Sequence, residues 1–439
     1  VTAAHGFQVV LDDGVLHVDG RRYPLGDGGH EAWLNLYEAL ARELGLRRPL
    51  SREAPSTRPA DPRLTAVLTT PVSPAIPYGY GDPCVVAVGV RDYRLLVTSN
   101  DAPDAFPILA SSDLVHWRHT GFVFPRGETP AWALTGPDSD FWAPEMHRVG
   151  EEWWICFTAR EAGGDLAIGL ARGSSPDGPF TPDAAPVVRG GVIDSHILVD
   201  AAGAPWLVWK KDDNDVWPGL LADLLRQRPG AIETLFHTEA DRRTAAFAAA
   251  LHPWLAARPP MQRFFALQPL IEAVAQDLVG FDLHLRALGD PRAAAIHQAL
   301  RTRIFIQRLT PDGRALLGAP KVILANDLPW EGHLIEGVWI TRADGRYYLF
   351  YAGNDFSTAR YGIGVALADA PDGPYAKSPG AFLSSGRDWW GPGHPSVVRT
   401  GDGWRIFLHA FAPEEAGYKR FRALLSAPIR FRDGGVHLG

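Results

Sequence analysis

Ile335-Glu336-Gly337-Val338-Trp339-Ile340, followed by Tyr347-Tyr348-Leu349-Phe350-Tyr351 and then Gly362-Ile363-Gly364-Val365-Ala366, sets out one plan: an acid that opens a strand, a turn, an aromatic strand, and a third strand. Short β-branched and aromatic runs separated by Gly or Asp are the pattern of antiparallel strands. The plan recurs along the chain. Asp82-Pro83-Cys84-Val85-Val86 leads to Tyr93-Arg94-Leu95-Leu96-Val97, and Trp142-Ala143-Pro144-Glu145 leads to Glu152-Trp153-Trp154-Ile155-Cys156-Phe157. Val192-Ile193-Asp194-Ser195-His196 leads to Pro205-Trp206-Leu207-Val208-Trp209, and His394-Pro395-Ser396-Val397-Val398 leads to Trp404-Arg405-Ile406-Phe407-Leu408. Two copies close in nearly the same turn, Ser175-Pro176-Asp177-Gly178-Pro179-Phe180 and Ala370-Pro371-Asp372-Gly373-Pro374-Tyr375.

Five strand units with starts at 82, 141, 194, 336 and 394 predict an all-β chain, a five-bladed β-propeller. The interval between 194 and 336 is more than twice any other, and the third unit's next strand is Ile304-Phe305-Ile306-Gln307. Roughly 85 extra residues therefore lie inside blade three, beyond ordinary loop variation. That insertion, residues 215–301, is Ala/Leu-rich and predicts helices. Thr238 is a cap for a helix ending before Pro259-Pro260; Pro269 is read as the start of a helix carrying Leu270, Val274, Leu278 and Phe281; Asp290-Pro291 is a cap followed by a first turn.

Residues 1–70 read as an accessory α+β segment and linker, and 71–439 as the propeller. The segment holds strands around Asp12-Asp13-Gly14 and Asp19-Gly20, a helix from Glu31 to about Leu44, and a Pro/Arg/Ser-rich linker from Ser51 to Asp61. Amphipathic helices must bury their apolar stripe. The insertion is therefore expected to overhang the pocket mouth or to pack on a second chain as a homo-oligomer.

The formal charge of −7 and pI near 6.1 exclude a broad phosphate-binding footprint, so no nucleic-acid partner is expected. No apolar stretch reaches membrane-spanning length, and no membrane partner is expected. Two cysteines, Cys84 and Cys156, give neither a disulfide framework nor metal-ligand spacing. Val1-Thr2-Ala3-Ala4-His5 has no basic stretch before an apolar run, which favours the cytoplasm, while the missing initiating Met leaves a removed export leader open. Gly362-Ile363-Gly364 lacks the third glycine of a dinucleotide loop, so no organic cofactor is expected.

Asp82, Asp194 and Glu336 sit at the starts of three units. Glycosidic bond cleavage needs a carboxylic acid to protonate the leaving oxygen and a carboxylate to activate water or attack carbon. A third acid raises the donor's pKa, because like charges disfavour ionisation. Taken singly, an Asp beside a turn is more often a capping residue. Three at corresponding points of repeated units make catalysis the better reading.

Gly81-Asp82-Pro83, Phe141-Trp142-Ala143-Pro144-Glu145, Val192-Ile193-Asp194, Trp330-Glu331-Gly332-His333-Leu334-Ile335-Glu336-Gly337 and Gly391-Pro392-Gly393-His394 together resemble glycoside hydrolase family 43, over residues 75–214 and 302–435. The resemblance implies a five-bladed propeller and an inverting hydrolase of pentose glycosides, α-L-arabinofuranosides or β-D-xylosides. It implies Asp82 as general base, Asp194 as modulator of the acid's pKa, and Glu336 as general acid. Val338 and Ser195-His196 stand where the family usually has Pro, which bears on substrate more than on catalysis. His394 is similar to a histidine that in many members approaches a structural calcium ion in the axial channel; calcium prefers oxygen ligands, so His394 would reach it mostly through water. His196 and His409 read as core histidines.

Trp142, Trp339 and Phe356 are candidates to stack on sugar, with Glu145, Asp355 and Arg360 as polar partners for hydroxyls. The alternatives are a carbohydrate-binding propeller without turnover and a related propeller glycosidase or phosphorylase. The first has no need of a proton donor beside a base. A fructan hydrolase would carry Asn before Asp-Pro, where Gly81 stands, and a phosphorylase would carry a basic cluster.

Overall fold

The computed structural model describes residues 3–4, 7–12, 15–24, 30–49, 61–214 and 216–439. Asp13-Gly14 of the first turn and residues 51–60 of the linker lie outside them. The chain is mostly β and divides into two compact units, Val1–Glu53 with Asp213–Arg301, and Ala54–Asp212 with Thr302–Gly439.

In the larger unit five antiparallel sheets follow one another along the chain. The first holds Cys84–Gly89, Asp92–Leu96, Ala105–Ser111 and Arg118–Phe124; the second Trp142–Val149, Glu152–Arg160, Leu166–Gly173 and Thr181–Pro182. The third pairs Val192–Val199 with Pro205–Lys211, then, across the inserted residues, Arg303–Leu309 and Leu316–Ala325. The fourth is Ile335–Ala343, Arg346–Gly353, Gly362–Ala368 and Ala376–Lys377, with Leu383–Ser384 beside its third strand. The fifth is Trp390–Thr400, Gly403–Phe411, Ala423–Arg432 and Gly435–Leu438. Thr65–Leu68 pairs with Ala423–Arg432 of that fifth sheet. The last residues of the predicted accessory segment thus belong to the larger unit, because an extended run finds an unpaired sheet position there.

The first strands of consecutive sheets lie side by side, and that of the fifth lies beside that of the first. Apolar faces meet between sheets, which is why strands such as Ala105–Ser111 are buried along their whole length. Trp154, Ile168 and Leu170 pack with Ile197, Leu207 and Trp209 between the second and third sheets; Val208 and Ile306 pack with Ile340, Leu349 and Tyr351 between the third and fourth; Val85 and Leu95 pack with Phe407 and Leu424 between the first and fifth. The two Pro-Asp-Gly turns have the same left-handed glycine, Gly178 at φ 82° and Gly373 at φ 78°. Asp177 of the first turn takes Arg94 of the neighbouring sheet in two bonds of 2.7 and 2.8 Å.

The smaller unit joins the sheet Ala3–Ala4, Phe7–Asp12, Val15–Val18 and Arg21–Pro24 and the helix His30–Leu44 with the inserted helices. Thr238 caps Glu239–Leu255 by accepting the Asp241 N–H at 3.1 Å, and Asp290 caps Pro291–Ala299 by accepting the Arg292 N–H at 2.9 Å. Pro269 does not start a helix. It lies inside Pro260–Ala275, because Pro260 already takes the first-turn position where the missing N–H costs nothing. Leu278–Ala287 is a separate helix bent 94° from it, begun by Asp277 accepting the Gly280 N–H at 3.0 Å. Among the described residues no single helix is long and apolar enough to cross a membrane.

The sequence reading sets the N-terminal segment and the insertion apart and looks to a pocket mouth or a second chain for the insertion's burial. In the structure each covers the other. Trp33 stacks on Trp254 at 5.9 Å, Tyr37 meets Phe247 edge-on at 6.3 Å, and Arg47 bonds Asp241 at 2.5 Å through its side chain and Thr244 at 2.8 Å through its N–H.

Candidate active site

Each sheet of the larger unit has a left-handed residue at the entry to its first strand, Asp82 (φ 55°), Ala143 (46°), Asp194 (55°), Gly337 (57°) and His394 (47°), and the fifth has a second in Gly391 (59°). In the second to fifth sheets the register shifts at that point. Such a bulge re-aims a side chain.

Hydrogen bonds link these positions from sheet to sheet. Thr98 Oγ1 accepts the Ala143 N–H at 2.8 Å, Thr158 Oγ1 the Asp194 N–H at 3.2 Å, Asp194 Oδ2 the Gly337 N–H at 2.8 Å, and His409 Nδ1 the Asp82 N–H at 3.1 Å. The equivalent of the two aspartates in the fourth sheet is therefore Gly337, and Glu336 stands one residue before it. Space explains the shift: a Cβ at 337 would lie 3.0 Å from His394 Cα and Nδ1.

Asp82 is half-buried among donors. Arg422 Nη1 bonds Oδ1 at 2.8 Å, Thr98 Oγ1 donates to Oδ2, and His394 Nδ1 stands 3.5 Å from Oδ1. Burial alone would raise this carboxyl, but Arg422 first, then His394 and Thr98, hold it well below the usual carboxylate range. His409 also lies 3.4 Å from Oδ1, yet its Nδ1 accepts the Asp82 N–H, so the ring is neutral and adds no ion pair. Its burial, with Arg422 nearby, depresses its pKa far below the ordinary histidine value.

Glu336 and Asp194 go the other way. Burial raises Asp194 to about 7; Lys210 opposes the rise, Asp82 adds to it, and the Gly337 N–H opposes it. Glu336 is raised by burial and then by Asp194, against Lys210 Nζ at 3.0 Å from Oε2 and the Tyr361 hydroxyl donating to Oε1 at 2.9 Å. One site thus holds a carboxyl lowered from its ordinary value beside one that is raised. That pairing suits a base and an acid working together.

Four of these groups were not singled out from the sequence. Arg422, Thr98, Lys210 and Tyr361 are remote from the acids along the chain, but two glycines carry their imprint. A Cβ on Gly81 would sit 2.0 Å from Arg422 Cζ, and one on Gly393 would sit 1.8 Å from Tyr361 Cε1. Lys210 had a signal of its own, a lysine directly after the apolar run Pro205-Trp206-Leu207-Val208-Trp209.

Other candidates fall elsewhere. Trp339 is buried against His147 and His196 at 5.4 and 5.0 Å, with its indole N–H on Thr341. Glu145 is buried too, and its Oε2 accepts from His147 Nε2 and His196 Nδ1, both at 2.7 Å. These two residues are core, because the bulge turns the strand before it reaches them. Trp142 is half-buried and donates to Asn100 at 3.1 Å. Phe356 lies under the Arg422 guanidinium at 6.0 Å. Asp355 is buried and accepts from Ser357, whereas Arg360 is exposed in the same loop.

His394 faces Asp82, whose carboxylate Arg422 already holds. Calcium takes oxygen ligands, so direct binding by this pair does not fit. Among the described residues the donor atoms grouped closely enough to hold an ion are those of Glu145, His147 and Cys156, within 4.8 Å of one another, and His394 is not among them.

A sequence model of glycosyl hydrolases family 43 matches residues 71–229 and 292–436. The chain is 24% identical over 276 residues to xylosidase/arabinosidase 43A of Humicola insolens, a match that covers 61% of this chain and 65% of that protein, so just under two thirds of the relative is spanned. It is 22% identical over 352 residues to a xylosidase/arabinosidase of Bacteroides ovatus, covering 79% of this chain and 87% of the relative. Among solved structures, a thermostable family-43 glycoside hydrolase shares the fold with a TM-score of 0.58 at 24% identity, over 82% of this chain and 92% of the other. An endo-arabinase from Bacteroides thetaiotaomicron does so with a TM-score of 0.52 at 18% identity, over 87% and 99%. The family match runs through the segments that carry Asp82, Asp194 and Glu336 and skips most of the inserted helices, and the chain belongs to glycosyl hydrolases family 43.

Proposed function

We propose that the chain hydrolyses pentose glycosides, α-L-arabinofuranosides or β-D-xylosides, with inversion at the anomeric carbon, on a five-bladed β-propeller. The ring of adjacent first strands supports the propeller. The opposed directions in which Asp82 and Glu336 are shifted support the mechanism, and the xylosidase/arabinosidase relatives support the sugar class.

Asp82 is the base. Its carboxylate takes a proton from water as the water oxygen bonds to the anomeric carbon. Held low by Arg422, it is a weak acceptor at rest, but an oxocarbenium-like transition state has hardly begun to bond the water. Glu336 gives its proton to the leaving oxygen, which keeps the electron pair of the broken C–O bond. Asp194 fixes the backbone beside the donor through the Gly337 N–H and raises the donor by its proximity.

Glu336→Gln should lower kcat/KM by about 10²–10⁴ on aryl glycosides with poor leaving groups, and far less on activated ones that need no proton. Equal losses on both remove Glu336 from the acid's role. NMR of the first-formed sugar should show the anomer opposite to the substrate; a retained anomer removes Asp82 from the base's role.

A further inference from the structure

Lys210 ends the alternating face that carries Trp206 and Val208 on the strand Pro205–Lys211, the face that packs toward the fourth sheet. Its side chain is 0% exposed, whereas the next residue, Lys211, is exposed. An ammonium without water is stable only among opposite charges. Lys210 Nζ bonds Glu336 Oε2 at 3.0 Å and Asp212 Oδ1 at 3.2 Å.

This is one more carboxylate than the ammonium's charge requires. With Asp212 as a standing counter-ion, Lys210 stays charged and satisfied while Glu336 is protonated. When Glu336 loses its proton, the same ammonium is already 3.0 Å from the oxygen that becomes negative. Asp194, placed through Gly337, pushes the opposite way.

We propose that Lys210 is a positioning residue that sets the pH at which Glu336 surrenders its proton, and that Asp212 limits the charge Lys210 presents. This rests on Glu336 being the acid. The other titratable groups around the pair are Tyr361 on Oε1, Asp355 from the following loop, Asp82 across the site, and His333, which lies near Lys210. None is removed by changing Lys210 or Asp212.

The experiment is a pH–rate profile of kcat/KM on an aryl glycoside with a poor leaving group, for the full chain and four variants. In Lys210→Gln the alkaline limb should move to higher pH, so that the fraction of optimal activity retained at the alkaline edge rises roughly tenfold. In Asp212→Asn, where the ammonium acts on Glu336 alone, the limb should move the other way by a smaller factor. Lys210→Arg should leave it in place and covers the case in which Lys210→Gln does not fold. Glu336→Gln reads the parent assignment: the limb should vanish.

If the limb vanishes in Glu336→Gln but stands still in both Lys210→Gln and Asp212→Asn, with only thermal stability changed, Lys210 is structural and the proposal is overturned while the acid keeps its role. A limb that persists in Glu336→Gln overturns both.

Discussion

The Asp82 and Glu336 ends of the site are built alike and behave oppositely. Each is a carboxyl facing one cation and one hydroxyl donor, Arg422 with Thr98 for the half-buried Asp82 and Lys210 with Tyr361 for the buried Glu336. What differs is whether the cation is shared. Arg422 reaches both oxygens of Asp82, at 2.8 and 3.4 Å, and the histidines beside it bring no competing acid. Lys210 reaches one oxygen of Glu336 and divides its charge with Asp212, while Asp194 adds a second acid nearby. The lesson is that a neighbouring cation does not by itself decide ionisation; burial first, and then the acids that compete for the cation, weigh against it.

The sharpest way to break this comparison is to remove the unshared cation. Arg422→Met leaves the half-buried Asp82 without its strongest partner. Activity should fall by roughly 10²–10⁴, and the acidic limb of the pH profile should climb toward the ordinary carboxylate range. A profile whose acidic limb does not move would mean that Arg422 does not hold Asp82 ionised.

Asp194→Asn tests the other end, with a smaller effect. Removing a like charge should lower Glu336 and shift the alkaline limb to lower pH. The sign for stability is opposite to that for activity. A carboxyl raised to about 7 in the fold favours folding below its unfolded value and loses that contribution as pH rises through 7. At pH 8 Asp194→Asn should therefore melt higher than the parent while turning over more slowly, a trade-off common at active sites. A lower melting temperature at that pH would show that Asp194 is comfortable as an anion.

The smallest catalytic effect belongs to the unit that carries none of the three candidate catalytic acids. Trp33→Ala should destabilise the smaller unit by about 3 kcal/mol or more, read as an earlier transition in thermal unfolding or faster proteolysis within residues 216–301. Both pH limbs should stay where they are. A displaced limb would tie that unit to the chemistry.

Much of the architecture is legible in residues close together in the chain. Alternating apolar runs, turn residues such as Pro176-Asp177-Gly178, and caps such as Thr238 and Asp290 act through bonds that span a few positions. The inserted helices show as a break in the spacing of strand units. Less legible was the point at which Glu336 departs from the repeat, because a slip of one residue at a bulge leaves no trace in periodicity but changes which backbone N–H meets Asp194. Pro269 misled for a related reason: a proline marks a helix start only where no earlier one has already taken the position.

By itself the sequence determined the strand repeat, the extent of the insertion and the three carboxylates that are candidates for catalysis. Tertiary structure alone decided the rest: that Arg422, 340 positions from Asp82, is its partner; that Lys210 is shared between Glu336 and Asp212; and that the N-terminal helix supplies the apolar surface the inserted helices need. The division has a physical cause. Strand and helix signals come from neighbours along the chain, whereas the charge on a buried carboxyl depends on lost water and on every charge within a few ångströms, whatever its distance in sequence.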